Sequence, residues 1–187
     1  MSPKTELARE PESPEFVLNP EREYEIVNGK PEVKEMAGAR HGGVTARLLG
    51  EMWIYVKQTG SGGIYTPDTT FKIGSNDRLP DISFVADERI PAAGEPEGLW
   101  QIAPDLAVEV VSPSDFWQDV LGKMRAYFAA GVREVWLVAP ESKEVYVYTG
   151  PESVRILSED KELTSELLPG FQCKLSEIFQ LPGRPAV

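Results

Sequence analysis

The chain has 187 residues, enough for one domain of ordinary size around a single core. Hydrophobic residues make up 41% and charged residues 26%, a globular balance, and no apolar stretch approaches the roughly 18–20 residues of a membrane span. The net charge of −11 argues against non-specific coating of nucleic acid, which rests on Lys and Arg neutralising phosphates, but it leaves room for a local basic groove.

Residues 1–15 are rich in Pro and Glu and hold no apolar core, so they read as a flexible tail and not as a signal peptide. Residues 16–187 are then one domain, and a cytoplasmic location is the default. The lone Cys173 excludes an intrachain disulfide and a cysteine zinc site. Tyr24-Glu25-Ile26-Val27, the turn pair Asn28-Gly29 and a return through Val33 to Met36 predict a β-hairpin, with Pro31 marking the return arm as an edge. A helix is predicted over roughly 42–58, because Val44, Leu48, Leu49, Met52, Tyr55 and Val56 fall within an arc of about 140°. Gly60-Ser61-Gly62-Gly63 ends it; no Lys-Ser/Thr follows, so this is a turn and not a phosphate loop.

Short strands are predicted at about 64–66, 69–74 and 80–86, followed by a Pro-, Gly- and Glu-rich excursion over 87–103 with room for one helical turn. Residues 105–111 have strand length and β-branched content, and they lie between Pro104 and Pro113, which predicts a strand buried on both faces. A helix follows, capped by Ser114 or Asp115, running to about Ala130 and stopped by Gly131, with Phe116, Val120, Leu121, Met124, Tyr127 and Phe128 as its apolar face. Strands over 134–139, 144–149 and 153–157 and a terminal segment to Phe179 complete the chain. The unit from 105 to 139 predicts a parallel crossover, and 134–149 a hairpin.

The informative feature is Glu109, a carboxylate inside the apolar run Leu106-Ala107-Val108-Glu109-Val110-Val111. A charge there is costly unless a partner compensates it. Asp81 opens a second strand, Asp81-Ile82-Ser83-Phe84-Val85-Ala86. If the two strands are neighbours the acids converge, and Lys123, at the border of the second helix's apolar face, reaches toward them. A divalent cation or a lysine relieves the repulsion between two such carboxylates.

Plainer readings stand beside these. Asp81 after Pro80 also suits a turn cap, and Glu109 also suits a structural salt bridge. Asp119 and Lys123 have the i, i+4 spacing of a solvated surface pair. His41, the only histidine, reads as a cap or packing residue rather than a general base. Zinc and serine-hydrolase sites find no support from one histidine. Trp53, Trp100, Trp117 and Trp136 read as core or interface residues, and Asp105 as a partner at the start of the strand or around the site.

In order, Leu79-Pro80-Asp81-Ile82-Ser83-Phe84-Val85, Pro104 through Ser114, Asp119 through Lys123 to Tyr127, and Gly131 through Val138 resemble one family. It is a large bacterial family of restriction-type endonucleases built on the PD-(D/E)XK nuclease core. The Tyr24-Glu25 hairpin and the His41 helix resemble it as well, so the likeness spans roughly residues 22–150. The resemblance implies an α/β, restriction-endonuclease-like core: a central mixed β-sheet flanked by helices, with an N-terminal β-hairpin. It implies a divalent-metal-dependent endonuclease hydrolysing phosphodiester bonds in DNA, with Asp81 and Glu109 as ligands of Mg²⁺ (or Mn²⁺) and the Val110 carbonyl as a third. The chain departs from the wider pattern two residues after the acid, where Val111 replaces the lysine; the resemblance then transfers that role to Lys123. Glu25 is implied as an accessory acid. A homodimer suits cutting of both strands of a duplex. The alternatives are a catalytically inactive nuclease-fold binding or scaffold protein, favoured by the acidic balance and the displaced lysine, and hydrolysis of a small phosphate ester.

Overall fold

The computed structural model describes residues 23–34, 37–181 and 183; the tail expected over 1–15, and Met36 at the end of the expected hairpin, lie outside the described residues. The hairpin forms from β1 (Tyr24–Val27) and β2 (Lys30–Val33), with Asn28 at φ 52 and Gly29 at φ 75, the left-handed pair that a two-residue turn matched to strand twist requires. Helix α1 (Ala39–Thr59) buries Val44, Leu48, Met52 and Val56, and Gly60 at φ 63 ends it by donating its N–H to the Val56 carbonyl. It begins about three residues earlier than expected. Its first turn, Ala39-Arg40-His41-Gly42, carries no apolar periodicity, so the pattern is silent there.

The glycines expected as a turn behave differently from one another. Gly62 and Gly63 open strand β3 (Gly62–Tyr65), which lies antiparallel to residues 83–86 with Gly62 opposite Ala86. A Cβ on Gly62 would stand 2.1 Å from the Val85 carbonyl oxygen, so the close strand approach needs a residue without one. The single strand expected over 69–74 is a hairpin, β4 (Phe71–Ile73) and β5 (Asn76–Arg78), turning at Gly74. β5 reads Asn-Asp-Arg and has no apolar residue to betray it. It joins the N-terminal hairpin in a sheet ordered β2-β1-β5-β4. Pro31 therefore lies on an edge strand, as its missing N–H demands.

The remaining strands are β6 (Ile82–Ala86), β7 (Leu106–Val110), β8 (Glu134–Ala139), β9 (Glu144–Gly150), β10 (Ser153–Ser158), β11 (Glu162–Thr164) and β12 (Gln172–Lys174). A short 3₁₀ turn, Asp87–Arg89, opens the excursion over 87–103. Helix α2 (Trp117–Ala129) and the short α3 (Leu175–Phe179) complete the chain. Six strands form a mixed sheet ordered β10-β9-β8-β7-β6-β3, in which β7 and β8 run parallel and all other pairs antiparallel. α2 connects the parallel pair.

Strand alternation decides what each face meets. Leu106, Val108 and Val110 of β7, with Trp136 and Val138 of β8, pack with α1 and α3. Ala107, Val135 and Leu137 pack with Met124 and Tyr127 of α2. Glu109 follows the second set and faces α2.

The α2 cap differs from expectation. Phe116 holds that position, while the Asp115 carboxylate accepts the Ser112 N–H at 2.7 Å and closes the preceding turn. Phe116 is 77% exposed rather than part of the helix's buried face. Trp100 and Trp136 are core residues, whereas Trp53 and Trp117 are exposed. Among the described residues no helix is long and apolar enough to cross a membrane.

Candidate active site

Four elements deliver the acids and the lysine to one place. Glu25 comes from β1, Asp81 from the residue before β6, Glu109 from β7 and Lys123 from the second turn of α2. The Lys123 amine lies 3.0 Å from Glu109 Oε2 and 3.1 Å from Glu25 Oε1. It therefore turns inward and bridges two carboxylates; its ion pairs are not the surface pair that the Asp119 spacing suggested. Tyr127, one helical turn on, donates its hydroxyl to Glu109 Oε1. The i, i+4 spacing of Lys123 and Tyr127 was the available signal for this pairing.

Glu25 is buried and saturated. Its Oε1 also accepts the Leu79 N–H at 3.0 Å, and its Oε2 meets the Arg78 guanidinium at 2.7 Å. The unforeseen strand β5 supplies this arginine. Burial alone would raise the Glu25 pKa, but Lys123, the Leu79 N–H and Arg78 outweigh it and leave the carboxyl below its ordinary value.

Asp81 is 5% exposed. Its Oδ2 accepts the Val110 N–H at 2.8 Å and meets His41 Nε2 at 3.0 Å, while Oδ1 lies 3.5 Å from the Lys34 amine. Val110 stands beyond the last β6–β7 pair, Ile82 with Val108, so its N–H is free for a side chain instead of a strand. The same bond ties Asp81 to the peptide next to Glu109. Burial again opposes ionisation, and His41, Lys34 and the Val110 N–H reverse the balance, so the Asp81 pKa falls.

His41 occupies the third position of α1 and is neither a cap nor a packing residue alone; it contacts the first acid, and its hydrogen bond to Asp81 raises its own pKa against the effect of burial. Thr45 donates to the His41 carbonyl at 2.9 Å. Sequence reasoning missed His41, Lys34, Arg78 and the Tyr127 hydroxyl as members of this cluster.

Glu109 has the opposite bias. Burial raises its pKa, the charges of Asp81 and Glu25 add to this, and Lys123 and Tyr127 compensate only in part. Lys123 is held above its ordinary value: burial would lower it, but Glu109 and Glu25 prevail. The amine is therefore charged at neutral pH.

Asp105 sits elsewhere. It is fully buried just before β7, where Oδ2 accepts the Ala86 N–H at 2.9 Å and Oδ1 pairs with Arg89 at 2.9 Å. It stands four positions before Glu109, about 13 Å along an extended strand. It ties β7 to the end of β6.

An open groove of about 690 Å³ leads to Glu109 and Lys123, bordered by Arg78, Glu32 of the hairpin, and Asp115, Phe116 and Asp119 around the start of α2.

The family model of Uma2, described as "Putative restriction endonuclease", matches residues 10–176. The chain belongs to the Uma2 family. Among curated proteins none matches. A solved structure from Anabaena variabilis, described as a putative nuclease belonging to DUF820, is similar with a TM-score of 0.76 and 22% identity, over 85% of this chain and 90% of that one. The similarity extends the nuclease fold to this Uma2 chain: a mixed central sheet, flanking helices and the β1–β2 hairpin.

The donor set suits a hard cation. Among the described residues no three His, Cys, Asp or Glu side chains gather into a metal-holding group; a cation at this place would rest on the two carboxylates, Asp81 and Glu109. Mg²⁺ is commonly bound by one or two carboxylates, with waters and phosphate oxygens completing the octahedron. The incompletely compensated Glu109 carboxyl is the kind of group that a nearby cation would hold ionised.

Proposed function

We propose that this Uma2 protein is a divalent-metal-dependent endonuclease that hydrolyses phosphodiester bonds in DNA. The observation that carries the reading is the Lys123 amine, 3.0 Å from Glu109 at the end of a groove and on the neighbouring strand to Asp81. A lysine two residues after the acid is absent here, because Val111 stands there, yet an amine from α2 reaches the carboxylate.

In this reading Asp81, Glu109 and the Val110 carbonyl would hold Mg²⁺ or Mn²⁺, which would supply polarisation of the phosphoryl oxygen and a lowered pKa for the attacking water. The residues of the chain do the rest. Lys123, kept charged by Glu109 and Glu25, donates hydrogen bonds to the incoming water or to the phosphate oxygen that gains charge; a protonated amine is a donor, not a base. Glu25, ionised and fixed by Arg78 and the Leu79 N–H, holds that amine from the far side. Tyr127 and the Val110 N–H fix the rotamers of Glu109 and Asp81, which keeps both acids pre-organised. A homodimer would bring two such sites together.

The test is cleavage of plasmid and single-stranded DNA with Mg²⁺ or Mn²⁺ by the wild type, Asp81→Ala and Lys123→Ala. Cutting by the wild type that both variants lose by 100-fold or more is expected. An absence of cutting with either metal, with no metal binding by calorimetry, moves the protein to the inactive scaffold.

A further inference from the structure

The groove beside Glu109 and Lys123 has two properties that the proposed chemistry leaves unused. The first is its charge. Among the described residues Glu32, Asp115 and Asp119 border it outside the proposed metal site, while its cations, Arg78 and Lys123, are already paired with Glu25 and Glu109. A DNA duplex carries one negative charge per ~1.7 Å of axis and is held mainly by Lys and Arg. This wall opposes that grip. A single strand carries about half the linear charge and also exposes its base faces.

The second property is Phe116. Its ring borders the groove and is 77% exposed, the highest among the exposed large hydrophobics of the described residues. Its backbone is fixed on both sides. The preceding turn is closed by the Ser112 N–H on the Asp115 carboxylate at 2.7 Å and the Asp115 N–H on the Ser112 carbonyl at 3.0 Å. The Phe116 carbonyl accepts the Asp119 N–H at 2.9 Å as the helix begins, and the next side chain, Trp117, packs against Tyr146 with ring centroids 5.3 Å apart. An aromatic ring on a pinned backbone, standing in water at the border of the groove, is a pre-organised flat surface for a nucleobase.

We infer that Phe116 stacks on an unpaired base next to the scissile phosphate, so that single-stranded or locally melted DNA, rather than intact duplex, is the substrate class of this site. The placement beside the scissile phosphate rests on the nuclease reading; the stacking does not. The contact is a positioning one. Phe116 moves no proton and holds the strand so that its phosphate lies against Lys123 and Glu109.

The experiment is a fluorescence titration of a short oligonucleotide carrying one 2-aminopurine, as a single strand and annealed to its complement, with Ca²⁺ in place of Mg²⁺ and the strand's integrity checked on a gel. Wild type, Phe116→Ala and Phe116→Trp are compared. Wild type is expected to bind the single strand at least 10-fold tighter than the duplex. Phe116→Ala is expected to weaken single-strand binding by about 5- to 150-fold, the range that loss of one aromatic stacking partner produces, and Phe116→Trp to restore it. The ring is exposed, so neither substitution removes core packing.

The inference is overturned if Phe116→Ala binds the single strand as the wild type does, if the wild type binds no single strand, or if it prefers the duplex. It is equally overturned if Phe116→Ala converts a dimer to a monomer in sedimentation while single-strand affinity stays constant, which would assign the ring to a second copy. Mg²⁺-dependent cleavage that Asp81→Ala loses, with binding indifferent to Phe116, leaves the nuclease standing and removes the stack. Phe116-dependent binding without cleavage in Mg²⁺ or Mn²⁺ does the reverse.

Discussion

His41 Nε2 lies 3.0 Å from Asp81 Oδ2, the same oxygen that accepts the Val110 N–H at 2.8 Å. The acid before β6 is thus clamped between the first turn of α1 and the end of β7. The two pKa shifts define when this clamp stabilises the fold. His41 is raised above its ordinary 6.5, so its contribution is complete below that value and lost as the pH rises through the folded pKa. Asp81 is lowered below 3.8, so its contribution is present above that value and lost as the pH falls through the folded pKa. The pair is therefore strongest between these limits. In metal-free protein, His41→Gln should lower the melting midpoint more at about pH 5.5 than at about pH 9, by roughly 2–4 °C if the charged bond contributes about 1 kcal/mol. Equal shifts at the two pH values would mean that the imidazolium is not part of the clamp.

Lys123 separates two acids, the part-buried Glu109 and the buried Glu25. Lys123→Met leaves them without their common cation, at a cost of about 3 kcal/mol in urea unfolding. Adding Glu109→Gln removes one of the two charges and should recover a substantial part of that loss. A double variant as unstable as the single one would show that lost packing of the lysine stem, not uncompensated charge, governs the site.

If Asp81 and Glu109 take a divalent ion, Mg²⁺ binds the native state alone and raises its melting temperature. At 100 times the dissociation constant the stabilisation is about 2.7 kcal/mol. The wild type should show a shift that saturates with Mg²⁺ and disappears in EDTA, and Asp81→Asn should show almost none. A shift of equal size in Asp81→Asn places the ion elsewhere.

Two glycines separate backbone geometry from helix propensity. A Cβ at Gly62 meets the Val85 carbonyl oxygen at 2.1 Å, so Gly62→Ala must part β3 from β6 and should cost roughly 2–3 kcal/mol. A Cβ at Gly50, within α1, meets nothing within 4 Å, and Gly50→Ala should stabilise by roughly 0.5–1 kcal/mol. Chemical unfolding of the two variants reads both signs.

Much of the fold was legible because its signals are local. Asn28-Gly29 announces a hairpin turn, the α1 stripe announces a helix with one buried side, and Pro104 and Pro113 bracket a core strand with Glu109 inside its apolar run. Strand alternation turns Glu109 toward α2, and the α2 stripe places Lys123 at the edge of the same face, so the core of the candidate site follows from periodicity. What depends on sheet order was hidden. β5 has three polar residues and becomes a strand only because β1 and β4 flank it, yet it brings Arg78 to Glu25, 53 residues away. His41 meets Asp81 across 40 residues, and Lys34 joins them from the end of the hairpin. Phe116 fits the apolar stripe of α2 by spacing but is left in the open groove, because the Asp115 turn delays the helix until Trp117. Periodicity specifies which face of an element is buried; which charges then meet is decided by long-range packing, where a buried acid takes whatever donors the assembled sheets and helices present.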